Sequence, residues 1–275
     1  MSRLVDWLRL LRAGNGLVIG FGAITGYFVG GGSNTVEVIV LFLSAMLIGF
    51  YGNVVNDIFD VDVDRISKPW RPLASGKISL RTARFAALLL ALSGLSLAFA
   101  INVSCFIVAV FAVFMLYVYS RWAKKAGLPG NLLIALLSLL VVVYGGLAAP
   151  NPPRALLPGI YAFLIILGRE VLKGIEDIEG DRRYGVYTVA VRYGVRWALG
   201  LGSLLLLAVV VLSPLPYMYA GFNLFYLAVA VFGVDIPIIV ALGVLFTDPL
   251  RLAWRATRLL KISLVMGLLA FLVGA

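Results

Sequence analysis

The sequence predicts an all-α integral membrane protein of nine transmembrane helices, and three observations carry that expectation. The chain is 62% apolar and only 13% charged, with a mean hydropathy of +1.04, whereas soluble domains run nearer half apolar and a quarter charged. Its apolar residues gather into runs of about 20, the length that crosses the hydrocarbon core at about 1.5 Å rise per residue. Of its 23 Lys and Arg, 22 fall at the N-terminus or in alternate links between those runs, the adjoining helix ends included.

Taken in chain order, residues 1–13 within "MSRLVDWLRLLRAG" read as a short amphipathic helix at the membrane surface. Leu4, Trp7, Leu8 and Leu11 share one face, with Arg3, Asp6 and Arg9 mostly elsewhere. Arg9 and Arg12 interrupt the apolar run and no small-residue cleavage site closes it, so it does not read as a signal peptide. The spans follow at about 14–31, 36–55, 81–101, 103–120, 131–149, 155–174, 197–214, 221–246 and 258–275. Gly- and Pro-rich links such as "GGGSN" and "APNPP" punctuate them. The basic residues follow spans 2, 4, 6 and 8; Arg154 alone lies on the other side. Basic loops stay cytoplasmic, which predicts a cytoplasmic N-terminus and one domain over 1–275. With basicity so explained, nothing points to a nucleic-acid partner.

Composition also excludes chemistry. There is no histidine, which removes His-ligated metals and His-based acid–base catalysis. The single Cys105 cannot form an intramolecular disulfide or a Cys-based zinc cluster and reads as a small apolar filler.

Nine of the 13 acidic residues lie in or beside the links after spans 2 and 6. The first cluster, "NDIFDVDVD", sits against an apolar run. If span 2 continues as a helix, Asn53, Asn56, Asp57, Asp60 and Asp64 share a face and Asp62 points away. Carboxylates and amide oxygens so arrayed suit a hard cation. Mg²⁺ takes one or two carboxylates, several waters and a substrate phosphate. In the second cluster, "REVLKGIEDIEGDRRYG", Glu170, Lys173, Asp177 and Asp181 share a face if the helix continues, while Glu176 and Glu179 do not. A solvated acidic loop rarely keeps such phase against a membrane span. The four-span spacing between the clusters hints at an internal repeat. A ring-like bundle around a central cavity would bring both turns to one cytoplasmic mouth.

The intervening links supply Arg65, Lys68, Arg71, Lys77, Arg121, Lys124 and Lys125. Such cations bind phosphate, arginine through a bidentate fork. Carboxylates, Mg²⁺ and cations around an apolar bundle suit a diphosphate with a long hydrocarbon tail.

The chain here resembles the UbiA superfamily of intramembrane prenyltransferases, which has nine membrane helices. Asn56, Asp57, Asp60 and Asp64 match its N-D-x-x-D-x-x-x-D motif, and Asp177 and Asp181 in "DIEGD" its second acidic motif. "RPLASG" is similar to the family's R-P-L-P-S-G. "YSRWAKKAGLPGN" resembles a segment that carries over Tyr119, Ser120 and Lys124, and "LRAGN" one that carries over Arg12 and Asn15. Three departures stand out: Ser67 where Asn is frequent, Ala13-Gly14 in place of a Pro, and Ala190 in place of a Pro. None falls on an expected metal ligand.

The resemblance implies two Mg²⁺ held by the aspartates on a prenyl diphosphate, with Asp57, Asp60, Asp64, Asp177, Asp181 and Lys124 catalytic. Arg12, Asn15, Asn53, Asn56, Lys68, Arg71, Tyr119, Ser120 and Lys173 would bind substrate. Tyr117, Tyr119 and Tyr144 are candidates to face an allylic cation. "GIEDIEGDRR" and the compact loops look most similar to an archaeal branch that transfers a geranylgeranyl group to geranylgeranylglyceryl phosphate. An aromatic acceptor such as 4-hydroxybenzoate or a naphthoate is the alternative within the family. A transporter is the alternative outside it; only Asp235, near Pro237, has the midplane position a transport site needs. A soluble chain elongase shares Asp-rich motifs but not nine spans.

Overall fold

A computed structural model describes residues 3–275, which form helices and no strands. The chain divides into two compact units: Met1–Ile24 with Ser33–Trp122, and Thr25–Gly32 with Ala123–Ala275.

The first unit holds α1 (Arg3–Leu11), α2 (Ala13–Val29) as far as Ile24, α3 (Thr35–Ser67), α4 (Leu80–Ile101) and α5 (Val103–Arg121). Leu4 and Leu8 of α1 are exposed, while Leu10 and Asp6 are buried. Asp6 forms an ion pair with Lys77 at 3.6 Å, so this acid is anchored inward rather than lying on a wet face.

Helix α3 runs 33 residues without a break, capped by Asn34, whose side chain accepts from the amides of Val36 and Glu37. At about 1.5 Å per residue it is roughly 50 Å long, far more than the hydrocarbon needs. The acidic cluster is therefore its last three turns. Helix α4 meets α3 through small residues: Ala83, Ala87, Ala91, Gly94 and Ala98 are its buried positions. At Gly94 the carbonyl accepts from the Ser44 hydroxyl at 2.8 Å, and an added Cβ would meet the Ile48 side chain. Small residues let backbones approach where lipid supplies no hydrophobic drive. The opposite face of α4 exposes Phe85, Leu88, Leu92 and Phe99, as a lipid-facing side does.

The second unit holds α6 (Leu128–Gly146), α7 (Leu156–Glu176), α8 (Ile178–Arg183), α9 (Val189–Tyr193), α10 (Val195–Leu212), α11 (Leu215–Tyr219), α12 (Leu224–Ala230), α13 (Ile236–Thr247) and α14 (Pro249–Gly274). Helix α7 packs against α6, α10 and α14. Its seam with α10 interlocks: a Cβ at Gly168 would strike Leu206, and one at Gly202 would strike Leu172. Tyr161, Phe222, Tyr226 and Phe271 form one aromatic cluster with ring centroids 4.9–5.3 Å apart.

Among the described residues, eight helical segments are long and apolar enough to cross a membrane; α2, with 17 residues, is shorter. Two of the expected span boundaries need correction. The last helix begins at Pro249, nine residues ahead of the expected 258, because Asp248 caps it by accepting from the Arg251 amide at 3.1 Å. Arg251, Arg255 and Arg258 therefore stand on a helix and not in a loop. The eighth expected span is two α-helices joined by a π-helical turn, Val231–Asp235, just before Pro237. The lack of an N–H at Pro237 favours such a break in the i→i−4 ladder. The Asp235 carboxylate lies 2.6 Å from the Ser213 hydroxyl.

Candidate functional site

Within the first unit the cluster on α3 keeps the helical phase its spacing predicts. Asp57 and Asp64 are 3% and 4% exposed. Asp62 projects the other way, its side chain 85% exposed and paired only with Arg65 at 3.0 Å.

Two arginines clasp the buried pair. Arg71 Nη1 lies 2.6 Å from Asp64 Oδ2 and 3.2 Å from Asp57 Oδ1, and Arg12 Nη2 lies 2.5 Å from the same Asp57 oxygen. The loop after α3 returns Arg71 to the helix it has just left. Arg12 comes from the turn between α1 and α2. It is the sole non-glycine residue with positive φ among the described residues, at +49°. That turn is fixed from α3, because the Asn53 amide donates to the Leu11 carbonyl at 2.8 Å. Asn56 donates to Asp60 Oδ2 at 3.0 Å, one turn along.

Among the described residues no three acidic side chains form a ready group of metal ligands. Like-charged carboxylates repel at close range, and here the Arg71 guanidinium lies between Asp57 and Asp64. Asn53, expected to face substrate, spends its amide on the chain turn. Ser120 is buried and donates to Leu116 of its own helix at 2.8 Å, so its hydroxyl serves α5. Lys68 is the C-cap of α3, its amide bonded to the Asp64 carbonyl at 2.8 Å. Asn15 opens α2, its amide donating to the Arg12 carbonyl at 2.7 Å. Tyr119 is half-buried on α5. Tyr117 is exposed and packs edge-on to Phe59 and Trp122.

In the second unit α7 stops at Glu176. Asp177 is the joint, and α8 carries Asp181 one turn on, its amide donating to the Asp177 carbonyl at 2.8 Å. The helix is thus interrupted at Asp177 rather than continuous. Burial pushes the Asp181 carboxyl up to about 6 and the neighbouring Asp177 adds to it; Lys173, Lys124 and a hydrogen bond with Thr188 oppose the rise.

Lys124 lies in a 3-10 turn, Ala123–Ala126. Gly127, at φ +75°, ends it where a side chain would strike the Tyr187 carbonyl, and the Tyr187 amide donates to Lys125 at 3.2 Å. The turn bearing Lys124 is thereby tied to the segment after α8. Lys173 lies 3.9 Å from Glu170, which also pairs with Arg169. Tyr144 is buried inside α6.

Sequence reasoning missed the Arg12–Asp57–Arg71–Asp64 network, which links positions 45 and 14 residues apart. It also missed the bond from the Thr257 hydroxyl to Glu176 at 2.7 Å. In chemistry the two acidic turns suit a hard cation, because every donor is a carboxylate or amide oxygen. Mg²⁺ needs only one or two protein carboxylates when phosphate and water complete its shell.

A sequence profile described as the UbiA prenyltransferase family matches residues 19–268. A protein of Hyperthermus butylicus named digeranylgeranylglyceryl phosphate synthase is 40% identical, covering 94% of this chain and 90% of its own. A solved structure described as that of a digeranylgeranylglyceryl phosphate synthase in membranes superposes with TM-score 0.80 at 36% identity, over 100% of this chain and 99% of the other. A UbiA homologue from Archaeoglobus fulgidus, bound to GPP and Mg²⁺, gives TM-score 0.66 at 19% identity over 98% of both chains. At that identity the likeness is one of fold.

Proposed function

The chain belongs to the UbiA prenyltransferase family, and from that premise we propose that it transfers a geranylgeranyl group from geranylgeranyl diphosphate to geranylgeranylglyceryl phosphate, giving an ether-lipid precursor. The observation that carries this acceptor over an aromatic one is the near full-length likeness to relatives named for that synthesis. The proposal takes in a single catalytic domain over 1–275 with an interfacial helix at 1–13, nine spans in a ring-like bundle, a cytoplasmic N-terminus and a site opening to the cytoplasm of the cell membrane.

Asn56, Asp57, Asp60 and Asp64 in one acidic turn, and Asp177 and Asp181 in the other, would hold Mg²⁺. The bound ion would offset the charge that gathers on the diphosphate as the allylic C–O bond breaks. Arg71 and Lys124 bind donor phosphate oxygens, with Lys68 and Lys173 as further cations. Arg12 binds the acceptor phosphate. Asn15, Tyr119 and Ser120 lie along the substrate path, and Asn53 positions Arg12 through Leu11.

Arg71 and Arg12 supply the positive charge that buried Asp57 and Asp64 require. Ligand binding reassigns these arginines to phosphate. The acceptor hydroxyl attacks C1 of the prenyl group, an ether C–O bond forms, diphosphate leaves and the hydroxyl proton is released. Apolar helices keep water from the allylic cation.

The test is direct. Purified protein with Mg²⁺ and labelled geranylgeranyl diphosphate converts geranylgeranylglyceryl phosphate to a doubly prenylated lipid, and EDTA stops it. Robust turnover with 4-hydroxybenzoate and none with the glyceryl phosphate lipid overturns the proposal.

A further inference from the structure

The first turns of α14 divide into two faces. Ala253, Ala256, Thr257 and Leu260 are buried. Their side is pinned to α7, since the Thr257 hydroxyl donates to Glu176 and its carbonyl accepts from Arg169 Nε at 3.2 Å. Those bonds fix the rotation of α14 about its own axis. The other face is exposed and carries Arg251, Trp254, Arg255 and Arg258.

Arg258 and Arg255 place their guanidinium carbons 4.8 and 5.4 Å from the Trp254 ring centroid. None of the three arginines has an ion-pair partner among the described residues. Three cations with no carboxylate opposite them leave this face net positive, which suits an anion.

Their depth says what that is. The helix runs 26 residues, Pro249–Gly274, about 39 Å, longer than the about 30 Å hydrocarbon core, so its ends reach the headgroup layers. Arg251, Trp254, Arg255 and Arg258 occupy the first turns of this candidate span, with Lys261 exposed one turn further along, and the first turns of a crossing helix meet the headgroup layer. Tryptophan prefers that layer, and Ile262, exposed one turn inward, offers an apolar surface to an acyl or prenyl tail.

We propose that the Arg251–Trp254–Arg255–Arg258 face of α14 binds the phosphate headgroup of an anionic glycerolipid in the surrounding leaflet. Arg255 and Arg258, held on Trp254, clasp phosphate oxygens, while the lipid tails lie along the helix below. The inference does not depend on which acceptor the enzyme uses, because its test reads lipid contact and not turnover.

The test uses the full-length protein in nanodiscs doped with brominated phosphatidylglycerol or brominated phosphatidylcholine, with tryptophan quenching as the readout. Trp254→Phe identifies the share of quenching that belongs to this site. The anionic lipid quenches Trp254 at much lower mole fraction than the zwitterionic one. Each arginine is worth about fivefold in affinity, from about 1 kcal/mol per cation at an anionic surface. Arg255→Gln with Arg258→Gln therefore weakens the preference roughly thirtyfold. The Arg255→Lys, Arg258→Lys pair keeps most of it, and both variants keep the wild-type melting profile because the side chains face outward. Equal quenching by the two lipids, an undiminished preference in the double glutamine variant, or its loss on adding inorganic phosphate overturns the proposal; in the last case the site takes free phosphate and not lipid.

Discussion

Arg71→Ala separates the clasp from the metal. The Arg71 side chain is 21% exposed and bridges Asp64 and Asp57, whose side chains are 6% and 4% exposed. Without it Asp57 keeps Arg12, whereas Asp64 loses the one cation the structure places within 3 Å of it. Removing one partner of a buried ion pair costs about 3–5 kcal/mol. Arg71 is not wholly dry and Asp57 keeps its second arginine, so about 2–3 kcal/mol is the better figure in metal-free protein. Mg²⁺ changes the comparison. On the proposed function the ion would compete with Arg71 for Asp57 and Asp64 in the wild type; in the variant Asp64 is released and Asp57 keeps only Arg12. A ligand at a hundred times its Kd adds about 2.7 kcal/mol, enough to offset the loss. Thermal unfolding of detergent-solubilised protein in EDTA and in saturating Mg²⁺ is the assay. The variant melts several degrees below the wild type in EDTA, and Mg²⁺ raises its midpoint by more than it raises the wild type's. An equal deficit in both buffers refutes the idea that arginine and metal share these carboxylates. Prenyl transfer remains low in the variant throughout, because the donor diphosphate also loses a cation.

Four further outcomes follow. Asp60→Asn or Asp64→Asn abolishes transfer nearly completely while Asp62→Asn is mild, since Asp62 is exposed on the far face; comparable losses in steady-state assays would disprove the one-face geometry. Arg12→Ala raises the acceptor KM tenfold to a hundredfold, from about 1.5–3 kcal/mol for charge-assisted hydrogen bonds, and hardly moves the donor KM; separate substrate titrations decide this, and an unchanged acceptor KM removes Arg12 from acceptor binding. Gly127→Ala forces a side chain onto a φ of +75° against the Tyr187 carbonyl and lowers the melting midpoint clearly, whereas Gly180→Ala, with open space around it, leaves it within a degree or so of wild type. Reporter fusions after residues 66, 125 and 185 read cytoplasmic and those after 33, 152 and 218 read external; an inside signal at 152 breaks the nine-span topology.

The periodic features of the fold were legible in the sequence, and those set by distant partners were not. Hydropathy marks the membrane segments because each satisfies its backbone internally and needs only length and apolarity. The 100° step places Asp57 and Asp64 together and Asp62 apart because α3 never breaks. Periodicity has no access to which cation answers a buried carboxylate, so Arg12 and Arg71 could be named as phosphate partners but not as partners of Asp57. The early start of α14 had a readable signal in "TDPL", an Asp N-cap followed by Pro at the first helical position, which the basic residues behind it masked. The turn at Val231–Asp235 had only Pro237 as a pointer. The interruption at Asp177 had no marker in the sequence, and neither had the approach of Gly174 to Thr188, a contact no local pattern reveals.

The left-handed backbone at Arg12 carries a consequence for divergence among relatives. A non-glycine residue in that region costs on the order of 1–3 kcal/mol, and here two bonds from α3 oppose the cost: Asn53 to the Leu11 carbonyl, and Asp57 to the Arg12 guanidinium. Positions 12, 53 and 57 thus form a unit of inheritance. A chain that replaces Asn53 with an apolar residue loses the brace and gains from glycine at 12, but glycine there surrenders the second cation on Asp57. Substitutions at these three sites are therefore expected to be accepted together or not at all, and an alignment in which they drift independently would mean that the turn is held by something other than α3.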